Sequence, residues 1–482
     1  MSEWHRIGPT TLQRRLRGTE LLVNHAEHHQ EGNFQLFITA PFETNVPIED
    51  LRKRLYSAWY QVRQKHPVIA VKVCSSKDSN LDLATFQAVN DEHEFTLWAK
   101  ETCFIVDDGR SLEDIRSNFI KTQLTTPGKQ ACLTLVTSPR VGPVGLALQV
   151  THVLNSQNIL RIMETVAEEL MKQDFTPSVP FEREIIEAVR TKLPRSSIDA
   201  YKDQFKPSKD DVDSAQIIAA RAAQRYAKNT IGIPILNDWR KRQSNVRNLK
   251  FVLDAQETKA ITQTLKRLQL TLTSAFYACI CAAIAQLRSP GGEEGAHLLF
   301  SASVKRWLPT EGENGSAPIP MGIIPGGAWI DANEQEFRAK DLDGLIILAR
   351  KITNAQEEDI TSPHILNFYD EMAESVRSNG GYPASAEPLP LARPVYTSQG
   401  LHFLKPNIPI DDKSGSWFRF TDYTFGSRNT DPVVCFASNI FAKELRYYLL
   451  FDEKYFDLEE THALAIRVGS LLHLFAMPAS NL

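Results

Sequence analysis

The chain has 482 residues, enough for two to four folding units at about 100–200 residues each. Its 54 Lys and Arg against 58 Asp and Glu leave a net charge of −4, so no global attraction to nucleic acid or anionic lipid is expected. The apolar run 275–287 falls short of the ~20 residues that span a bilayer. The opening MSEWHRIGPT lacks a basic-then-apolar secretory pattern. The expectation is a soluble, cytoplasmic monomer with no nucleic-acid or membrane partner.

In chain order, a strand is expected over 33–39. Residues 47–65 follow as an amphipathic helix, with Ile48, Leu51, Leu55, Trp59 and Val62 on one face. It stops at His66, because the residue before a proline disfavours helical geometry. A β-rich run covers 68–73 and a helix 111–123. Strands at 131–137 and 145–151 flank a turn-rich SPRVGP, and the second runs directly into His152. A helix over 157–171 closes the first half.

Residues 172–247 are charged, poor in strand signals and interrupted by Pro194, Pro207 and Pro234. They read as a partly helical connection with two short helical patterns. The division is therefore 1–171, 172–247 and 248–482. The last part opens with a strand at 248–253. Asp254, three residues before Glu257, then forms a capping-box start for a helix ending near 268. Residues 275–287 form a helix apolar almost all round, hence buried. A strand is expected at 296–303, a loop at 311–320 and a proline-rich loop at 378–394. Strands at 395–403, 416–421, 433–439 and 444–451 lead to a final helix, 458–475. The six cysteines are scattered through mostly apolar runs and read as buried free thiols.

The sharpest chemical candidate is His152, at a strand–helix junction in QVTHVLNSQ. A neutral imidazole there suits proton abstraction from a hydroxyl near neutral pH. From the residues alone, a satisfied structural histidine is the favoured reading. Asn155 and Ser156 are candidate caps of the following helix. Ser156 lacks the Gly-x-Ser-x-Gly surroundings of a nucleophile. His25, His28 and His29, in HAEHH, read as a solvated helix end or loop and not as a metal site. Residues 321–327, MGIIPGG, are a candidate channel-lining loop. Glu357, Glu358 and Asp359 read as a charged face.

Several segments together resemble the condensation-domain and BAHD acyltransferase superfamily. The helix ending Lys65-His66-Pro67 and the later strand–histidine–helix junction come first. The family signature His-His-x-x-x-Asp-Gly is matched here by Thr151, His152, Ser156 and Gln157, with the second histidine kept. Residues 267–285, RLQLTLTSAFYACICAAIA, are similar to the family's second-lobe segment. Asp422, Tyr423, Phe425 and Gly426, in DYTFG, are similar to the BAHD motif Asp-Phe-Gly-Trp-Gly. The flavour is that of fungal trichothecene acetyltransferase-like enzymes.

The resemblance implies an α/β (α+β) fold of two chloramphenicol-acetyltransferase-like lobes. Mixed sheets would be flanked by helices, with an active-site tunnel at the lobe interface. It implies an acyltransferase with no bound cofactor or metal. Acyl-CoA would be co-substrate, a carrier protein the alternative donor, and a hydroxyl of a specialised metabolite the acceptor. His152 would be the general base. Thr151, Asn155, Ser156 and Ser398 are candidate substrate contacts. Asp422, Tyr423, Phe425 and Gly426 would form a structural motif. Arg306 falls where the family places an arginine that pairs with the motif aspartate, an ion pair Ser156 cannot form. The second reading on this fold is a cyclase holding a polyketide-like substrate without an acyl donor. A third is a silent binding protein.

Overall fold

The computed structural model describes residues 4–76, 81–124, 129–138, 142–155, 159–172, 181–182, 185–205, 209–287, 295–304, 307–308, 323–331, 334–359, 364–379, 390–398, 404–408 and 415–477. Two six-stranded sheets organise the chain, one in each half. In the first, Leu36–Thr44 lies beside Gly142–Val150, then Ala131–Ser138, then Cys103–Val106. The hairpin 131–150 is antiparallel, as its turn-rich connection predicts, while Cys103–Val106 joins in parallel.

The second sheet runs Val246–Leu253, Glu444–Asp452, Val434–Phe441, Pro394–Ser398, Ala296–Ser303 and Ile323–Ile330. It is mixed, because Pro394–Ser398 is parallel to both neighbours. A four-stranded sheet of His5–Arg6, Thr11–Arg15, Leu81–Gln87 and Val71–Ser76 flanks the first half.

The helices cover these sheets. Ile48–Lys65 forms as its apolar spacing requires and packs against Ile159–Leu170. Leu272–Leu287 is buried from Ser274 to Ala285 between Leu342–Asp359 and Leu458–His473. The Asp254–Glu257 capping box is formed at the start of Ala255–Leu268. One continuous apolar core runs from Trp4 to Phe475 through both halves.

Several expectations need correction. Residues 67–70 are a 3₁₀ turn, and the strand begins only at Val71. Proline at its first position fixes φ and has no N–H to give a ladder. Residues 323–327 are not a loop: they pair with Ala296–Ser303 as an edge strand. The 172–247 stretch holds a third helix, Lys209–Ala227, beyond the two short ones. Its part from Ile186 to Tyr201 buries Ile186, Val189, Ile198 and Tyr201 in the common core. The expected loop 311–320 and most of 378–394 fall outside the described residues.

The second half lends two strands to the first. Phe418–Phe420 and Thr424–Ser427, from the second half, both pair antiparallel with Leu36–Thr44. Gly426 makes this crossing possible. A Cβ there would lie 2.3 Å from Asn248 Nδ2 and 2.3 Å from the Phe37 ring.

Candidate functional site

Strand Gly142–Val150 is the second strand of the hairpin and is buried throughout its last five residues. It ends one residue before a short helical turn, His152–Asn155. Thr151, at the junction, is fixed twice to Gln130: its N–H donates to the Gln130 carbonyl at 2.9 Å, and its hydroxyl bonds the Gln130 side chain. Thr151 therefore stabilises the junction, its hydroxyl donating to Gln130.

His152 keeps partial solvent exposure, but its Nδ1 is sealed and has no hydrogen-bond partner among the described residues. Burial alone pushes the imidazole down to about 4, so the ring is neutral at neutral pH. Its backbone N–H donates to Glu27 Oε1 at 2.6 Å. The Val153 N–H and the Gln35 side chain also bond this carboxyl. Glu27 is 8 % exposed, and burial raises its carboxyl to about 8.

Glu27 lies on helix Thr19–His29, in the segment expected to be solvated. His28 and His29 are exposed there, but His25 is buried beside Asp82 at 3.6 Å and Glu27 faces the His152 turn. Sequence reasoning missed Glu27, because its partner is 125 residues away. No metal-holding cluster of His, Cys, Asp or Glu occurs among the described residues.

The turn after this helix is tight. Glu31, Gly32 and Phe34 have φ of 53°, 81° and 70°. A Cβ at Gly32 would meet Gln123 Cβ at 2.7 Å. The crossing segment of the second half clamps this turn. Arg428 N–H donates to Gln35 O at 2.8 Å, Phe34 N–H to Arg428 O at 2.7 Å, and Thr430 N–H to Asn33 Oδ1 at 3.0 Å. Arg428 also donates from Nε to Glu31 O at 2.6 Å.

That segment continues from the DYTFG stretch. Asp422 forms ion pairs with Lys250 Nζ and Arg446 Nη1, each at 2.5 Å. Tyr423 is fully buried and packs edge-on against Phe441. Phe425 pairs with Ile38 and Gly426 with Phe37. Strand Leu36–Thr44 thus separates these residues from the strand that carries His152.

The other candidates are not drawn to the histidine by the contacts observed. Ser398 bonds the Tyr396 side chain within the second sheet, and its strand position pairs with Ser438. Asn155 is the last residue of the His152 turn. Ser156 and Arg306 lie outside the described residues. A cavity of about 410 Å³ is lined by Glu43, Asn407, Ile408, Trp417, Phe418 and Arg419. It lies toward the far end of strand Leu36–Thr44, roughly 23 Å from the histidine end at ~3.3 Å per residue.

No family model matches the chain. It is similar to the acyl-CoA-dependent acyltransferase MAC2 of Pseudozyma antarctica, 28% identical over 99% of this chain and 97% of the relative. The acyl-CoA-dependent acyltransferase MAC1 of Mycosarcoma maydis is 20% identical over 99% of this chain and 90% of its own length. Among solved structures, the trichothecene 15-O-acetyltransferase TRI3 of Fusarium sporotrichioides superposes with a TM-score of 0.81, at 15% identity over 98% of each chain. The first condensation domain of the calcium-dependent antibiotic synthetase gives 0.63, at 11% identity over 98% of each. The fold is that of the condensation-domain and chloramphenicol-acetyltransferase-like enzymes, mixed sheets flanked by helices, as the sequence resemblance implied.

Proposed function

We propose that this chain is an acyltransferase that moves an acyl group from acyl-CoA to a hydroxyl of a specialised metabolite, with His152 as general base. The observation that carries the reading is a neutral imidazole that keeps partial solvent exposure, on a turn whose backbone is held by Glu27. A neutral ring offers one lone pair, and an acceptor hydroxyl is suited to it. The acyl-CoA dependence of the relatives supports the donor.

In the reaction, His152 takes the hydroxyl proton as the oxygen attacks the thioester carbonyl. The tetrahedral oxyanion collapses and expels the CoA thiolate, which takes the proton back from His152. Base catalysis supplies roughly 10²–10⁴-fold, so positioning and oxyanion donors account for much of the remaining acceleration. No acyl-enzyme is formed.

The test is incubation with acyl-CoA and a panel of hydroxylated metabolites, followed by free-thiol detection and product mass. Thiol release that depends on the acceptor, with a product heavier by the acyl group, is expected. A product isomeric with its substrate, formed without a thioester, would replace acyl transfer by cyclisation.

A further inference from the structure

We infer that Glu27 is the positioning residue of this site: its buried carboxyl caps the His152 turn and fixes where the imidazole points. The inference rests on the reading of His152 as base.

Ser156 is the position matched to the aspartate of the signature His-His-x-x-x-Asp-Gly, and it is too short and uncharged for an ion pair. A histidine on a four-residue turn needs some other restraint. The carboxyl of Glu27 is placed to give it. It reaches the turn from a different element, helix Thr19–His29, and accepts from the N–H groups of both His152 and Val153. These are the first amides of the turn, which have no partner within it.

The carboxyl is itself held in place. The Gln35 side chain bonds it, and Gln35 Oε1 accepts from Leu124 N–H at 2.9 Å. The backbone of Gln35 is tied to Arg428 of the crossing segment. A chain of contacts therefore runs from the DYTFG crossing through the turn 30–35 to Glu27 and the histidine. The second half is thereby linked to the residue that caps the His152 turn.

Burial raises the Glu27 carboxyl to about 8, so a neutral amide is a close mimic of its state near pH 7. The ionisable groups on the elements packed around the turn are Glu20, His25, His28 and His29 on the helix of Glu27, and His66 ahead of turn 67–70. Arg428 and Asp431 lie on the clamping segment. None of their charges contributes to the depression of His152, which is due to burial alone.

The experiment compares E27Q, E27A and H152A in the full-length chain, with acyl-CoA and an acceptor found by the thiol assay. E27Q keeps an acceptor oxygen for both amides and is expected within about threefold of wild-type kcat. E27A, assayed well below its melting temperature, should lose at least ~30-fold in kcat with KM within about threefold, the mark of lost orientation. Its acid limb of kcat/KM should move from about 4 toward the ordinary histidine value of 6.5 as water reaches the loosened ring. Amide exchange at His152 and Val153 should quicken in E27A and not in E27Q.

If H152A keeps wild-type turnover, the base assignment fails whatever E27A does. If H152A is inactive while folded E27A keeps its kcat and its pH limb, the positioning role alone is overturned. Should E27A not fold, E27M of similar volume replaces it. If neither folds, a role confined to the loop is contradicted.

Discussion

Two ionisable groups at the candidate site have displaced proton affinities. Burial holds the His152 ring down to about 4, so its base form is present at all working pH values above that. The acid limb of kcat/KM should therefore fall near 4 and not near the ordinary 6.5, a difference read directly from a pH–rate profile. Glu27 has the opposite sign. Its carboxyl is raised from 4.5 to about 8 by burial, so the folded chain keeps a proton that the unfolded chain releases. This contribution to stability is fully present below 4.5 and is lost as pH rises through about 8. Melting temperatures of E27Q relative to wild type should rise from about pH 5 to about pH 8. A constant difference would contradict the raised carboxyl. The place of His152 at a strand–helix junction was legible because a strand feeding a histidine and then a helix is a local pattern. Glu27 was not, because HAEHH looks like surface, and only the tertiary fold brings that helix to the His152 turn.

At the scale of elements, local signals were faithful where the cause is local. The helix Ile48–Lys65, its stop before Pro67 and the Asp254 capping box all follow from spacing and caps. Strand Ala296–Ser303 falls where its apolar run places it. Partnering is different. Nothing near residues 424–427 says that they pair with Leu36–Thr44, because the register depends on a chain returning from some 380 residues away. Gly426 carries that pairing. G426A would push a methyl group to 2.3 Å from both Asn248 Nδ2 and the Phe37 ring. Overpacking of this kind costs about 1–3 kcal/mol, so a lowered melting temperature is expected, checked by thermal denaturation. Unchanged stability would mean that the crossing strand sits farther from Phe37.

Across the whole molecule, the two halves share an apolar core, and the second lends two strands to the sheet of the first. The 172–247 stretch joins them by packing, a feature its charged composition hid. Its anchor is the fully buried Glu182, which accepts from Arg63 at 2.7 and 2.8 Å and from the Val89 N–H at 2.9 Å. Removing one partner of such a buried pair leaves the other charge uncompensated, so E182A should destabilise by about 3–5 kcal/mol in denaturant titration. The fold class was legible because helix, histidine junction, buried helix and DYTFG stretch occur in one order along the chain. The wiring between halves was not, since buried ion pairs and crossing strands are contacts between distant residues.

The central claim is that one imidazole, neutral and held at the end of strand Gly142–Val150, moves the acceptor's proton during acyl transfer. The most direct measurement is the rate of acceptor-dependent thiol release from acyl-CoA by H152A, with its melting curve recorded alongside. A fall of at least about a hundredfold in a folded chain is predicted. Turnover close to wild type would contradict the account.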